Sequence, residues 1–497
     1  MKIPNDNPHK LNQILQPASE TEKYLNFFSR GFLILDSLST PPVEVSSWNT
    51  MTLGDRIIYF SPDLPARKSF TESGEEVVVL GIAFGISSKS EDSFATANRI
   101  ATTYRDRGLE ASLDYLENVS GRFVALIYKE QTLNIIGDPM GTISVFWYKT
   151  SSNQIVISSH DALISDTVGG LSSNAIRKVL GHPDYISPQG RAVPGILTPH
   201  DNVQQLFPNC MLTVKEGVVE HSRIFPRNDC PSLSLDDAYE LMVTELTRQI
   251  NLWLSLPKLP ILGLTAGQDS GLVLAAGLKR FQEENTTALT YHFFDKNTPS
   301  TLLDLKKANK RALLARLPHA ILDINQLDDG NSEAAKLYNK TFRNFARFPS
   351  QAMSFYESLP FNSQFFLSVG GEIGNAFYQD RSSNPLSPIS LSKKYTHSKF
   401  QDNPELLENF AAYIDYVEFD KAEGKGYDLY DLFYWEHRLG KWASLWYSEL
   451  DLTTMPAIPM NSRKFLNAML SQPFESRKFK KLYSLASQRI ASPFWQN

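Results

Sequence analysis

Apolar and polar positions change rhythm once along this chain. From about residue 50 to 225, short apolar runs rich in Val, Ile and Phe follow one another, with few long helical stretches. Val77-Val78-Val79-Leu80-Gly81-Ile82 predicts a buried strand. Ala95 to Leu116 carries apolar residues at helical spacing, and Gly108 in its middle predicts two helices. Arg122–Tyr128 with Thr132–Ile136 predicts a hairpin, followed by strands at Ser144–Tyr148 and Ile155–Ser158. Closely spaced strands with turn residues between them predict layered antiparallel sheet. The first 40 residues give no clear element.

The rhythm changes near Pro226 to Ser234, a stretch rich in Pro, Ser and Asp. Ser234, with Asp237 three residues on, predicts a capped helix start, and Leu235, Ala238, Met242, Leu246 and Ile250 line one helix face. Strands predicted at Ile261–Leu264, Ala288–Phe293, His319–Asp323 and Phe365–Val369 alternate with helices at Leu272–Phe281 and Leu303–Leu317. That alternation predicts a parallel sheet with helices on both faces. From about Lys393 the chain reads as helical and unusually aromatic. The expected fold is therefore α/β in two domains, an antiparallel sheet domain over 1–228 and a parallel-sheet domain over 229–497 with a helical C-terminal extension.

Composition narrows the function classes. The 497 residues carry a net charge of −5, so no global basic surface points to nucleic acid or anionic lipid. The two cysteines, Cys210 and Cys230, are too few for a disulfide scaffold or a four-thiolate zinc site, and the nine histidines show no metal-ligand spacing. The longest apolar run, Val77 to Ile86, is far short of the roughly 18 residues of a membrane span. The start, Met1-Lys2-Ile3-Pro4, has no hydrophobic core of a signal peptide, so a cytoplasmic location is expected.

The segment with candidate chemistry is Leu264-Thr265-Ala266-Gly267-Gln268-Asp269-Ser270-Gly271, which joins the first strand of the second half directly to a helix. A turn of small and hydroxyl residues there points backbone N–H groups and the helix dipole at one place, which favours a phosphate. Thr265 and Ser270 add hydroxyl donors. Asp269 would repel a phosphate without an intervening cation, which suggests Mg²⁺. The competing reading is a plain strand–helix connection with an Asp–Ser cap.

This turn resembles the pyrophosphate loop of the asparagine synthetase family, Ser-Gly-Gly-x-Asp-Ser, with Thr265 for the Ser, Ala266 for the first Gly, and Gly267, Asp269 and Ser270 matching. The family's second acidic loop is matched by Ser368-Val369-Gly370-Gly371-Glu372-Ile373-Gly374. The resemblance implies an ATP site in which Thr265, Gly267, Asp269, Ser270 and Gly371 contact the nucleotide and Asp269 and Glu372 hold Mg²⁺. In the first half, Gly121-Arg122-Phe123, Gly137-Asp138-Pro139-Met140-Gly141, Val145–Tyr148 and Ser158-Ser159-His160 follow the order of the family's glutamine amidotransferase domain, an Ntn-like αββα fold.

The chain departs from that family in several places. A working glutaminase of this type uses an N-terminal cysteine, whereas this sequence begins Met1-Lys2, and no Asn-Gly oxyanion pair stands around Leu80 to Gly85. Glutaminase activity is therefore not expected. The pattern is similar to that of β-lactam synthetases and lasso-peptide cyclases, which activate a carboxylate as an acyl-adenylate for attack by an amine. The β-lactam-forming Tyr of the second loop is replaced by Val369 or Gly370. Lys480 and Lys481 are candidates for a lysine beside the adenylate, although Arg477–Lys481 reads first as a solvated helix face. The implied partners are ATP, Mg²⁺, a small-molecule or peptide carboxylate and an amine, with no nucleic acid and no membrane. A homo-oligomer is compatible with the sequence. The alternative is an inactive scaffold, or, ranked last, a sulfur-inserting ATP pyrophosphatase. Trp435, Glu436, His437, Arg438, Lys441 and Trp442 cluster on one predicted helix, where Arg438 and Trp442 are candidates for meeting an anionic substrate.

Overall fold

The structure, a computed structural model, describes residues 27–85, 92–186, 192–294, 298–324, 332–379, 386–397 and 399–490. Met1-Lys2 and the rest of the first 26 residues lie outside them.

The first half holds two six-stranded sheets. One has the order β10-β8-β9-β1-β3-β2, from β1 (Phe32–Asp36), β2 (Asn49–Leu53), β3 (Arg56–Phe60), β8 (Phe146–Lys149), β9 (Ile155–Ser158) and β10 (Gln204–Gln205). The other has the order β12-β11-β7-β6-β5-β4, from β4 (Ala66–Phe70), β5 (Glu76–Phe84), β6 (Ser120–Lys129), β7 (Thr132–Gly137), β11 (Cys210–Lys215) and β12 (Val218–Arg223). Every pairing within both is antiparallel.

Strand alternation decides which side chains meet. Phe32, Ile34 and Ile58 of the first sheet share one core with Val78, Leu80, Val124 and Leu126 of the second, so the sheets stack face to face. Val77, Val79, Ala125 and Ile127 point the other way, against α1 (Ser93–Leu116). Leu33, Leu35 and Val156 likewise meet Ala162, Leu163 and Ile164 of α2 (Asp161–Thr167). The layers are thus helix, sheet, sheet, helix. Gly108 sits at φ 79° inside α1 and breaks it into two helical pieces, as its position in the sequence predicts.

The second half begins with α3 (Leu235–Leu254), whose N-cap Ser234 accepts the Asp237 N–H. A five-stranded parallel sheet follows, ordered β15-β14-β13-β16-β17, from β13 (Leu259–Gly263), β14 (Thr287–His292), β15 (His319–Asp323), β16 (Ser363–Phe366) and β17 (Met455–Ala457). Its helices include α4 (Gln268–Glu283), α5 (Pro299–Leu314) and α6 (Pro349–Ser358). Adjacent residues of β16 show helices on both faces: Phe365 packs edge-on against Phe355 of α6, and Phe366 against Phe281 of α4. A π-helical stretch (Tyr434–Ala443), α7 (Ser444–Leu450) and α8 (Lys481–Arg489) belong to the aromatic C-terminal part.

Buried polar contacts join the halves. Arg122 of β6 forms a two-pronged ion pair with Asp451, which Arg30 also approaches at 3.3 Å. Asp138 accepts from Asn461 Nδ2 at 2.7 Å, and Arg223 pairs with buried Glu436 at 2.7 and 2.8 Å. Arg122 and Asp138 come from the amidotransferase-like motifs and here fasten one half to the other. One expectation is corrected: Arg477 does not lie on a solvated face but is buried in an ion pair with Asp431, because the chain turns there to bring α8 back onto the sheet domain.

Candidate functional site

The parallel sheet grows outward from β13 through β14 to β15, then returns to place β16 on the other side of β13. The loops after β13 and β16 therefore diverge, leaving a crevice at the carboxyl ends of the strands, the usual ligand position in an open α/β sheet. A cleft of about 860 Å³ lies there, lined by Thr265, Gly267, Asp269, Ser270, Ser368 and Glu372. Thus the two motif loops, about a hundred residues apart in sequence, face one space.

The first loop is held from within and from behind. Thr265 Oγ1 accepts the Gly267 N–H at 3.0 Å and lies 3.0 Å from Ser270 Oγ. Ser270 Oγ is also 3.1 Å from the Thr265 carbonyl and 3.2 Å from that of Gly267. Two residues of α5 that the sequence did not single out as functional clamp it. Asp304 accepts the Ala266 N–H at 2.5 Å, and Arg311 donates to the Thr265 and Gly267 carbonyls at 2.6 and 2.8 Å. Their spacing of seven puts them on one helix face, but only the packing of α5 brings that face to the loop. Gly267 is the N-cap of α4, so the positive end of that helix opens on the loop.

The second loop depends on two glycines. Gly370 adopts φ +119°, and a Cβ there would fall 2.3 Å from Met140 Cε of the first half. At Gly371 a Cβ would fall 2.1 Å from Asp269 Oδ1 and 2.2 Å from Tyr483 Oη. Without a side chain at 371, the second loop presses directly against the Asp269 carboxylate. Tyr483, fully buried on α8, donates its hydroxyl to Asp269. This partner was not legible in the sequence, because α8 is the last helix and reaches the cleft only through tertiary packing.

Electrostatics set this pair apart. Burial raises the Asp269 carboxyl above its ordinary range, although the Tyr483 hydrogen bond and the nearby Lys480 charge oppose the rise. Burial, then the charge of Asp269, push Glu372 up to about 7, against the backbone N–H of Gly370 at 3.0 Å and the charge of Arg438. Two carboxylates that hold each other's protons in place in this way are relieved by a cation. Ser368 Oγ, buried in the same cleft, has no hydrogen-bond partner. These groups fit a magnesium ion, which commonly takes one or two carboxylates and completes its shell with phosphate and water. Among the described residues no cluster of three or more His, Cys, Asp or Glu side chains is placed to hold a metal ion.

Tyr291, Phe365 and Trp446 give the cleft an aromatic wall. Trp435 is core, its Nε1 donating to the Pro139 carbonyl at 2.6 Å. Arg438 reaches the site electrostatically, through Glu372, and its guanidinium lies 4.4 Å from the Trp442 ring centre. Lys480 is exposed at a left-handed turn before α8, while Lys481 begins that helix. His292 is buried beside Phe294, and His319 bonds to Thr290 and Asn309, so neither faces the cleft as a ligand. The cysteines are unsuited to nucleophilic work: burial pushes the Cys210 thiol far up and that of Cys230 to about 11.

No protein-family model and no curated protein matches the chain. Among solved structures it is similar to an allosteric regulatory enzyme of purine biosynthesis, at 9% identity over 64% of this chain and 84% of that one, with a TM-score of 0.26. It is likewise similar to a glutamine phosphoribosylpyrophosphate amidotransferase from B. subtilis in complex with ADP and GMP, at 9% identity over 65% and 85%, with a TM-score of 0.24. Likeness at this level is a coarse overlap of elements, and no helix among the described residues is long and apolar enough to cross a membrane.

Proposed function

We propose that this chain is an ATP-dependent amide-forming ligase of the asparagine synthetase type, without glutaminase activity, serving a specialised biosynthetic route. The observation that carries the reading is the meeting of Asp269 and Glu372, from two strand ends, in one cleft where the charge of Asp269 raises the cost of ionising Glu372.

In this reading the loop Thr265–Ser270 and the N-terminus of α4 receive the pyrophosphate end of ATP, and the aromatic wall of Tyr291 and Trp446 offers a surface for the base. Asp269 and Glu372 hold Mg²⁺, and Gly371 keeps the two loops close enough for both carboxylates to reach one ion. Mg²⁺, when bound, neutralises charge developing on the pyrophosphate leaving group. A substrate carboxylate attacks the α-phosphorus and the bond to the β-phosphate breaks, giving an acyl-adenylate. An amine then attacks the acyl carbon, the bond to AMP breaks, and the nitrogen loses a proton. Activation is needed because a carboxylate oxygen is a poor leaving group and AMP is a good one. The amine is supplied by the substrate or by solution, since burial holds the thiols of Cys210 and Cys230 in their protonated, non-nucleophilic form.

One observation favours a second reading, a non-catalytic scaffold. Ala266 places a Cβ where the family motif has glycine, and its N–H is already taken by Asp304. Thermal unfolding with Mg²⁺ and a non-hydrolysable ATP analogue, on the wild type and Asp269→Asn, separates the two. At about 100 times Kd, linkage gives about 2.7 kcal/mol of added stability. Stabilisation of the wild type that Asp269→Asn loses is the ligase outcome, and pyrophosphate release across a panel of carboxylates then follows. No stabilisation of either protein is the scaffold outcome.

A further inference from the structure

A second, partly enclosed pocket lies where the end of β9 meets the π-helical stretch and α7. Phe146, Phe342 and Trp442 give it aromatic walls, and Leu197 and Leu445 add apolar surface. Most polar groups on its wall are satisfied by the protein. Asp161 bonds His200 Nδ1 at 2.5 Å, Asn344 Nδ2 bonds His200 Nε2 at 2.6 Å, and Arg343 pairs with Asp166 at 2.6 Å.

Two groups differ: one has an unpartnered ring nitrogen and the other lacks a counter-charge. His160 is 5% exposed, and its Nδ1 lies 2.8 Å from Ser159 Oγ. Ser159 Oγ accepts the Phe32 N–H at 2.8 Å and lies 3.3 Å from the Phe32 carbonyl, to which it donates. Whichever ring nitrogen carries the proton, His160 Nε2 is buried with no partner. Burial holds the ring's pKa down at about 4, so at neutral pH the ring is uncharged and its Nε2 is unpartnered. Lys441 is the second group. It is 7% exposed and donates to the Gly195 and Leu197 carbonyls at 2.7 and 2.5 Å. No carboxylate among the described residues pairs with it, so its ammonium form is disfavoured by burial alone. A buried lysine without a counter-charge is costly unless something supplies the charge.

We infer that this cavity binds a small organic acid with a flat apolar body, its carboxylate taken by His160 Nε2 and Lys441, and its body lying among Phe146, Phe342 and Trp442. The site stands whether or not the strand-end cleft binds a nucleotide. The two spaces are neighbours, since Trp442 lies 6.2 Å, ring centre to ring centre, from Trp446 of the cleft wall.

The test titrates the full chain with phenylacetate and with its uncharged isostere phenylacetamide, followed by calorimetry and tryptophan fluorescence. Phenylacetate is expected to bind with a Kd of about 1 mM, usual for a ligand of about ten heavy atoms. The amide is expected to bind at least about tenfold more weakly, as is phenylacetate to Lys441→Met, because each removes one half of a buried charge pair. Leu445→Trp fills the cavity and is expected to abolish binding. Should Lys441→Met fail to fold, the acid–amide difference on the wild type decides. Absence of saturable binding of phenylacetate, indole-3-acetate and 4-phenylbutyrate below about 10 mM overturns the inference. So does equal binding of acid and amide, or undiminished binding by folded Leu445→Trp.

Discussion

The carboxylates at the junction between the halves and those in the strand-end cleft receive different hydrogen bonds. At the junction between the halves, Asp138 accepts from the backbone N–H groups of Phe123, Met140 and Thr142, the Thr142 hydroxyl and the Asn461 amide, while Asp451 is held by Arg122 and Arg30. In the strand-end cleft, Asp269 has one side-chain donor, Tyr483, and Glu372 accepts only from backbone N–H groups around Gly370. Burial raises the pKa of all four. In the cleft both acids line one open space. Saturated carboxylates fasten structure; under-satisfied ones await a ligand.

The comparison can be broken most forcefully at the junction. Asp451→Asn leaves Arg122 and Arg30 buried beside a neutral amide, and an unpaired buried charge costs about 3–5 kcal/mol. Chemical denaturation is expected to show a loss of this size with the Mg–ATP response intact in the protein that remains folded.

Gly371→Ala comes next. Its Cβ would collide with the Asp269 carboxylate and Tyr483, so overpacking of about 1–3 kcal/mol is expected together with loss of nucleotide stabilisation. A variant that keeps the full nucleotide response would separate Gly371 from the site.

A pH series sharpens the contrast. The folded pKa of Glu372 is raised towards about 7, so the native state binds its proton more tightly than the unfolded chain does. The resulting stability is present below the unfolded carboxyl pKa and is lost as pH rises through about 7. Apo wild type is expected to lose stability between about pH 4.5 and 7, and Glu372→Gln, which mimics the protonated form, is expected to show a flatter profile. Stabilisation by Mg²⁺ and the ATP analogue is expected to grow over the same interval, because the cation needs the ionised acids.

The smallest effect belongs to Lys480→Met. Lys480 is exposed and acts on Asp269 only through its charge, so stability should hold while affinity for the analogue falls about two- to fivefold. Calorimetric titration reads this directly.

Much of the architecture was legible because it is written locally. The buried strand at Val77–Ile82, the break at Gly108, the Ser234 cap and the alternation of strands with helices after residue 259 all rest on short-range periodicity and turn chemistry. β17 was not legible: its three residues include Pro456, and it is a strand only because β16 lies beside it. β1 was missed because it follows a stretch with no pattern. In the cleft, Asp269 and Glu372 could be read from their loops, but Tyr483, Asp304 and Arg311 reach those loops through long-range packing that no local spacing encodes. Arg477 misled for the same reason, since a run of cations looks solvated until Asp431 is folded against it.

The central claim is that the cleft carboxylates are kept for a ligand and not for the fold. Urea denaturation of apo wild type, Asp269→Asn and Glu372→Gln tests this most directly, repeated with Mg²⁺ and the ATP analogue. The account predicts that both variants are at least as stable as the wild type when empty, and that only the wild type gains stability with nucleotide. Loss of about 2 kcal/mol or more in the empty variants, with nucleotide stabilisation unchanged, would contradict it.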